Sequence, residues 1–147
     1  MLSEQKVIEL MQVAIKQAEI SIQEGDSPFG AVIADSEGNV FAVGRNRENT
    51  DKCVVSHAET NTIAAACQKA GAKKLPGYVL VCTGEPCSMC ASAIIKCGIT
   101  EVYYGAAMEP SCNPYITFDT VAKAAKQPIY AVGGVCEEQC LQLLKGR

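Results

Sequence analysis

Apolar positions near the start of the chain, at Val7, Leu10, Met11, Ala14, Ile15, Ala18 and Ile22, recur at three- and four-residue intervals. That spacing predicts an amphipathic helix from Ser3 to about Glu24, stopped by Gly25-Asp26. Two short apolar runs follow, Phe29 to Ala34 and Val40 to Arg45, around the polar segment Asp35-Ser36-Glu37-Gly38-Asn39. Such a pair around a Gly-containing loop predicts an antiparallel β-hairpin. Asn46 to Val55 is polar and aperiodic and reads as a loop. A helix is expected from His57 to about Ala70, with Gly71 as its stop. Tyr78 to Thr83 is a continuous apolar run between Pro76-Gly77 and Gly84, the pattern of a strand covered on both faces. A helix from Cys87 to about Lys96, a strand from Ile99 to Tyr104 and an irregular loop from Met108 to Thr117 come next. A helix from Phe118 to Lys126, a strand from Pro128 to Val132 and a helix from Glu137 to about Lys145 complete the series.

Strands separated by helices favour parallel pairing through right-handed crossovers, to which the hairpin adds one antiparallel pair. The expected fold is α/β, a three-layer α/β/α arrangement around a mixed five-stranded sheet. Ligands of open α/β sheets gather at the carboxyl ends of strands, where the following helices begin.

The chemistry-bearing residues lie at two such beginnings. Ser56-His57-Ala58-Glu59 opens one helix, and Glu85-Pro86-Cys87-Ser88-Met89-Cys90 opens another. Zinc that activates water takes three protein ligands and keeps one open position, with nitrogen and thiolate as natural donors. His57, the only histidine, and the Cys87/Cys90 pair supply that number. Ser56 is placed as the N-cap of its helix, and Pro86 at the first helical position of the other, so that Cys87 falls in the first turn. Simpler readings exist for each part. Ser56-x-x-Glu59 is also a capping-box pattern, and a single Cys-x-x-Cys also occurs as a redox pair or a structural zinc clasp. The combination of His-x-Glu with Pro-Cys-x-x-Cys, in that order, is the signature of zinc deaminases that act on nucleobases.

The chain of 147 residues, 48% hydrophobic and 20% charged, has the size and composition of a single globular domain, 1–147. No apolar run approaches the about 18 residues that span a bilayer, and Glu4, Lys6 and Glu9 interrupt any apolar leader. A soluble, cytoplasmic protein without a membrane partner is expected. Nine cysteines, an odd number, argue against a disulfide scaffold. Cys67, Cys82 and Cys97 read as small buried hydrophobes. Cys136 and Cys140 are four apart on the last expected helix and form a weak second metal or redox pair. A net charge of −3 lacks the electrostatic footprint that drives affinity for a phosphate backbone.

From Pro28 to Gly105 the chain resembles the cytidine deaminase superfamily, in the branch holding guanine deaminases, bacterial tRNA adenosine deaminases and fungal-type cytosine deaminases. Pro28-Phe29-Gly30-Ala31-Val32 resembles the family's first strand and Arg45-Asn46 the end of its second. The resemblance implies zinc held by His57, Cys87 and Cys90, with Glu59 as the proton shuttle of a hydrolytic deamination that releases ammonia. It further implies Asn46 as a base-binding side chain, Phe29 as a pocket wall, and the Ala58 N–H as a donor to the incoming oxygen. Phe118-Asp119 resembles the guanine deaminases, where an acidic group late in the chain contacts the purine, which makes Asp119 a candidate. The substrate so implied is a free purine or related amino-heterocycle, guanine first, with tRNA adenosine or cytosine as the alternative. Members of the superfamily are usually homo-oligomers, and a dimer is expected. From a different class, the zinc could brace a noncatalytic binding module.

Overall fold

A computed structural model describes residues 1–145. Helix α1, Glu4–Gln23, starts where the Ser3 hydroxyl accepts the Lys6 N–H at 3.2 Å, and its buried stripe follows the predicted positions from Val7 to Ala18, with Ser21 buried and Ile22 only partly so. Strands β1, Gly30–Ala34, and β2, Val40–Arg45, form the hairpin. Its turn is held by Asp35, whose Oδ1 accepts the N–H groups of Glu37 and Asn39 at 2.9 Å each. The polar segment after β2 is not wholly irregular. It carries a four-residue helix α2, Glu48–Asp51, which has no apolar periodicity of its own. Asp26, far upstream, caps it: Oδ1 accepts the Asn49 and Thr50 N–H groups at 3.0 and 2.9 Å, and Oδ2 accepts the Thr50 hydroxyl at 2.6 Å. Burial alone would push the Asp26 carboxyl up, but these hydrogen bonds outweigh it and hold the group below its ordinary range.

Helix α3, Ala58–Ala70, is followed by strand β3, Val79–Gly84, and helix α4, Ser88–Cys97. Strand β4, Glu101–Ala106, helix α5, Phe118–Ala122, strand β5, Tyr130–Val132, and helix α6, Glu137–Lys145, follow in turn. Helix α5 ends four residues before the predicted limit at Lys126, because beyond Lys123 the backbone tightens into three-residue turns, the Ala124 and Ala125 N–H groups donating to the Val121 and Ala122 carbonyls at 3.0 Å each.

The five strands lie in the order β2-β1-β3-β4-β5. Strands β3, β4 and β5 are parallel, while β1 runs antiparallel to both β2 and β3, which makes two antiparallel pairs where one was expected. The crossover logic survives in altered form: β2 and β3 point the same way around α3, but β1 is inserted between them. Alternate side chains of the sheet enter two cores. Val32, Val81 and Tyr103 meet α1 and α6 on one face. Ile33, Leu80 and Val102 meet α3, α4 and α5 on the other. Cys82 and Cys97 are buried as predicted, whereas Cys67 is only half-buried. Among the described residues no helix is long and apolar enough to cross a membrane.

Helix α3 lies close on β2 because Gly44 has no side chain. A Cβ there would sit 2.3 Å from Thr62 Oγ1 and 2.8 Å from the Thr62 nitrogen, both on α3. Gly44→Ala should therefore push the helix off the sheet and cost about 1–3 kcal/mol by overpacking. Urea unfolding should show a lowered midpoint at an unchanged slope, and an unaltered midpoint would contradict the close approach.

Candidate metal centre and pocket

Two helix starts meet at the carboxyl end of the sheet. His57 is the N-cap of α3, with extended backbone at φ −87° and ψ 161°, and its N–H donates to Thr60 Oγ1 at 3.1 Å. The cap therefore lies one residue later than Ser56, whose hydroxyl instead bonds Asp51 Oδ2 at 2.8 Å. Cys87 is the N-cap of α4, so Pro86 precedes the helix rather than opening it. Cys90 stands one turn further in and is fully buried. The Cys90 N–H is directed at the Cys87 sulfur at the start of α4, where the positive end of the helix dipole also favours thiolate.

His57 Nδ1 lies 3.6 Å from Cys87 Sγ and 3.6 Å from Cys90 Sγ. A tetrahedral zinc with nitrogen at about 2.0 Å and sulfur at about 2.3 Å sets a nitrogen–sulfur separation of about 3.5 Å. The three donor atoms all lie within 4.8 Å of one another and are the one such His/Cys/Asp/Glu group found among the described residues. Their electrostatics fit a cation as well. The Cys90 thiol beside it and the His57 ring bring Cys87 down to about 4, and hydrogen bonding to Cys87 together with burial pushes Cys90 up. A divalent ion takes such sulfurs as thiolates and displaces their protons. His57 Nε2 is 3.3 Å from Glu48 Oε1, the outer carboxylate that metal-binding histidines commonly have.

Glu59, two residues into the same helix start, is buried, and burial raises its carboxyl to about 7. It does not serve a capping box; its carboxyl faces the cysteines, within bonding reach of Cys90.

The pocket beside this group is lined by four of the residues singled out in the sequence, Phe29, Asn46, Ala58 and Glu59, and also by Glu48 and Glu85, which the sequence did not single out. Phe29 is packed on the core, and its ring lies against Gly84 beside the pocket. Asn46 is almost wholly buried, its N–H donating to the Phe29 carbonyl at 3.0 Å and its carbonyl accepting the Ser21 hydroxyl at 2.8 Å. Asp119 is not brought to this pocket. Its side chain is 74% exposed at the start of α5 and pairs with Lys123 Nζ, one turn along the same helix, at 2.8 Å. Among the described residues Cys136 and Cys140 gain no third ligand; Cys136 precedes α6, and Cys140 packs on Met11 Sδ at 3.8 Å. All nine cysteines are free.

The Met108–Thr117 loop closes one side of the pocket through Met108, Glu109 and Cys112. Glu85 ties down both its ends, accepting the Met108 N–H on Oε1 at 3.2 Å and the Phe118 N–H on Oε2 at 3.1 Å. Nothing in the local sequence signals this tie, because both partners lie more than twenty residues away.

Residues 4–106, which carry all of these donors, match the cytidine and deoxycytidylate deaminase zinc-binding region. The chain belongs to that family. It is 33% identical over 132 residues to the tRNA-specific adenosine deaminase of Bacillus subtilis strain 168, covering 88% of this chain and 81% of the relative. A solved structure from a study of tRNA:A34 deaminases and A-to-I editing at the wobble position superposes with a TM-score of 0.82 at 31% identity, over 92% of this chain and 99% of that one. The X-ray structure of guanine deaminase from Bacillus subtilis is more distant, with a TM-score of 0.64 at 28% identity over 83% and 82%. This family member is thus a zinc-dependent deaminase, a hydrolase of C–N bonds, and its His57, Cys87 and Cys90 form the group that fits the ion.

The cation that fits here links α3 to α4, so its removal should loosen the fold. With zinc at about a thousand times its dissociation constant the linkage is worth about 4 kcal/mol, or about 10 °C of melting temperature. Chelation followed by calorimetry should show that loss, and zinc should restore it; an unmoved transition would contradict the site.

Proposed function

We propose that the chain hydrolytically deaminates a free amino-heterocycle, a purine such as guanine first. The observation that carries this reading is the charge of the pocket: four of its lining residues, Glu48, Glu59, Glu85 and Glu109, are acidic, and none is Lys or Arg. A phosphate backbone entering such a mouth meets like charge, whereas a small base with amino and ring N–H donors meets acceptors.

A bound zinc supplies the polarisation that makes water a nucleophile at neutral pH. Glu59, buried beside Cys90, is placed to take a proton from that water and hand it to a ring nitrogen, which makes the amine-bearing carbon electrophilic. The carboxylate then takes the second proton, from the hydroxyl added to that carbon, and delivers it to the departing amine, so that ammonia leaves and a carbonyl remains. Asn46 and the Ala58 N–H line the pocket where the base and the incoming oxygen would be held, and Phe29 offers a flat wall for stacking. A homodimer is part of this reading; Val54 and Tyr115, 77% and 51% exposed, leave apolar surface for a second copy, which sedimentation measures.

The tRNA adenosine reading is the second one, favoured by the names of the more similar relatives. Basic charge near the carboxyl end is sparse for it: Lys145 closes α6 opposite Glu137 and Glu138, and Arg147 lies outside the described residues.

Ammonia release from guanine, cytosine, adenine, cytidine and an anticodon stem-loop separates the readings. A free base should be turned over with little dependence on salt, and Glu59→Ala should lower the rate by about 10²–10⁴-fold. Activity on the stem-loop alone, falling steeply with ionic strength, would give the second reading instead. Activity that survives Glu59→Ala would remove the proton shuttle.

A further inference from the structure

Glu48 takes no part in the steps above, yet it touches both halves of the site. Its backbone N–H donates to Asn46 Oδ1 at 3.0 Å, and its Oε1 accepts Asn46 Nδ2 at 2.8 Å. The same Oε1 lies 3.3 Å from His57 Nε2. Because His57 turns Nδ1 to the two sulfurs, Nε2 is the ring nitrogen left facing Glu48 Oε1, in an ion-pair contact at 3.3 Å. One carboxylate oxygen therefore touches the metal-facing imidazole and also holds an amide that lines the pocket.

The residue is itself firmly placed. It opens α2, which Asp26 caps with three hydrogen bonds, and the Arg47 N–H beside it donates to the Ser56 carbonyl at 3.0 Å. Its second oxygen, Oε2, has no protein partner among the described residues. The side chain is 32% exposed and lines the pocket. An anionic acceptor held against a pocket wall selects for N–H donors, since an edge offering only lone pairs would meet like charge.

We propose that Glu48 is a positioning and specificity-determining residue: Oε1 aligns His57 and Asn46, and Oε2 accepts from an N–H or amino group of the substrate. The substrate class that follows is an amino-heterocycle carrying a second N–H donor besides the amine it loses. This rests on the free-base deaminase reading for its substrate half and on the metal site alone for its positioning half.

Two variants of the zinc-loaded protein separate the halves. Glu48→Ala removes both oxygens, and competition against a chromophoric chelator should show zinc bound about 10–100-fold more weakly. Glu48→Gln keeps one carbonyl acceptor for the imidazole, so its zinc affinity should stay close to that of the unaltered chain. It replaces the anionic acceptor with an amide, so kcat/KM for the best substrate should fall about tenfold or more, through KM rather than kcat. An analogue with the second N–H methylated should lose this sensitivity to Glu48→Gln. Unchanged zinc affinity in Glu48→Ala would overturn the positioning role. Equal effects of Glu48→Gln on the substrate and its methylated analogue would overturn the specificity role. If the unaltered chain deaminates none of the free bases, the functional reading and the substrate half fail together, while the zinc competition still decides the positioning half.

Discussion

The structure depends on two helix N-termini being aimed at one point. Each start carries unpaired N–H groups and a partial positive charge, so each can hold a thiolate or accept an imidazole at its cap. His57 caps α3 and Cys87 caps α4, and the parallel strand β3 between them sets the separation at which both reach Cys90. The sheet supplies that spacing because α3 and α4 pack on the same face of it, α3 against the unsubstituted backbone of Gly44. A cation at the convergence offsets charges that would otherwise repel, which is why fold and chemistry share one set of contacts.

Around that point the carboxylates divide the labour by burial. Glu59 is enclosed and raised to about 7, which suits the proton transfers proposed for it. Glu85 spends both oxygens on backbone N–H groups and fixes the loop that walls the pocket. Glu48 is partly open and bridges ring and amide. The same residue type performs three tasks because three environments differ in solvent access and in donors.

Most of the architecture was legible in the hydrophobic pattern. Long amphipathic stretches such as α1, and the continuous apolar run of β3, left little choice of element, and the His-x-Glu and Pro-Cys-x-x-Cys spacings located the centre before any coordinates. What the sequence hid was non-local. Helix α2 is too short to show periodicity and is capped by Asp26, more than twenty residues upstream. The insertion of β1 between β2 and β3 follows from packing rather than from any turn, so the second antiparallel pair could not be read from connection lengths. Helix starts were displaced by one or two residues because a capping side chain and a metal-facing one compete for the same positions, as at Ser56 and His57. Asp119 was assigned by resemblance of a two-residue match, and an ion pair along its own helix is the simpler use the chain makes of it.

The central claim is a cation held by one imidazole nitrogen and two sulfurs with a fourth, light-atom position open. X-ray absorption at the zinc edge of the native protein tests it most directly. Two sulfur scatterers at about 2.3 Å and two nitrogen or oxygen scatterers at about 2.0 Å are predicted. A shell of three or four sulfurs, or no zinc at all, would contradict it.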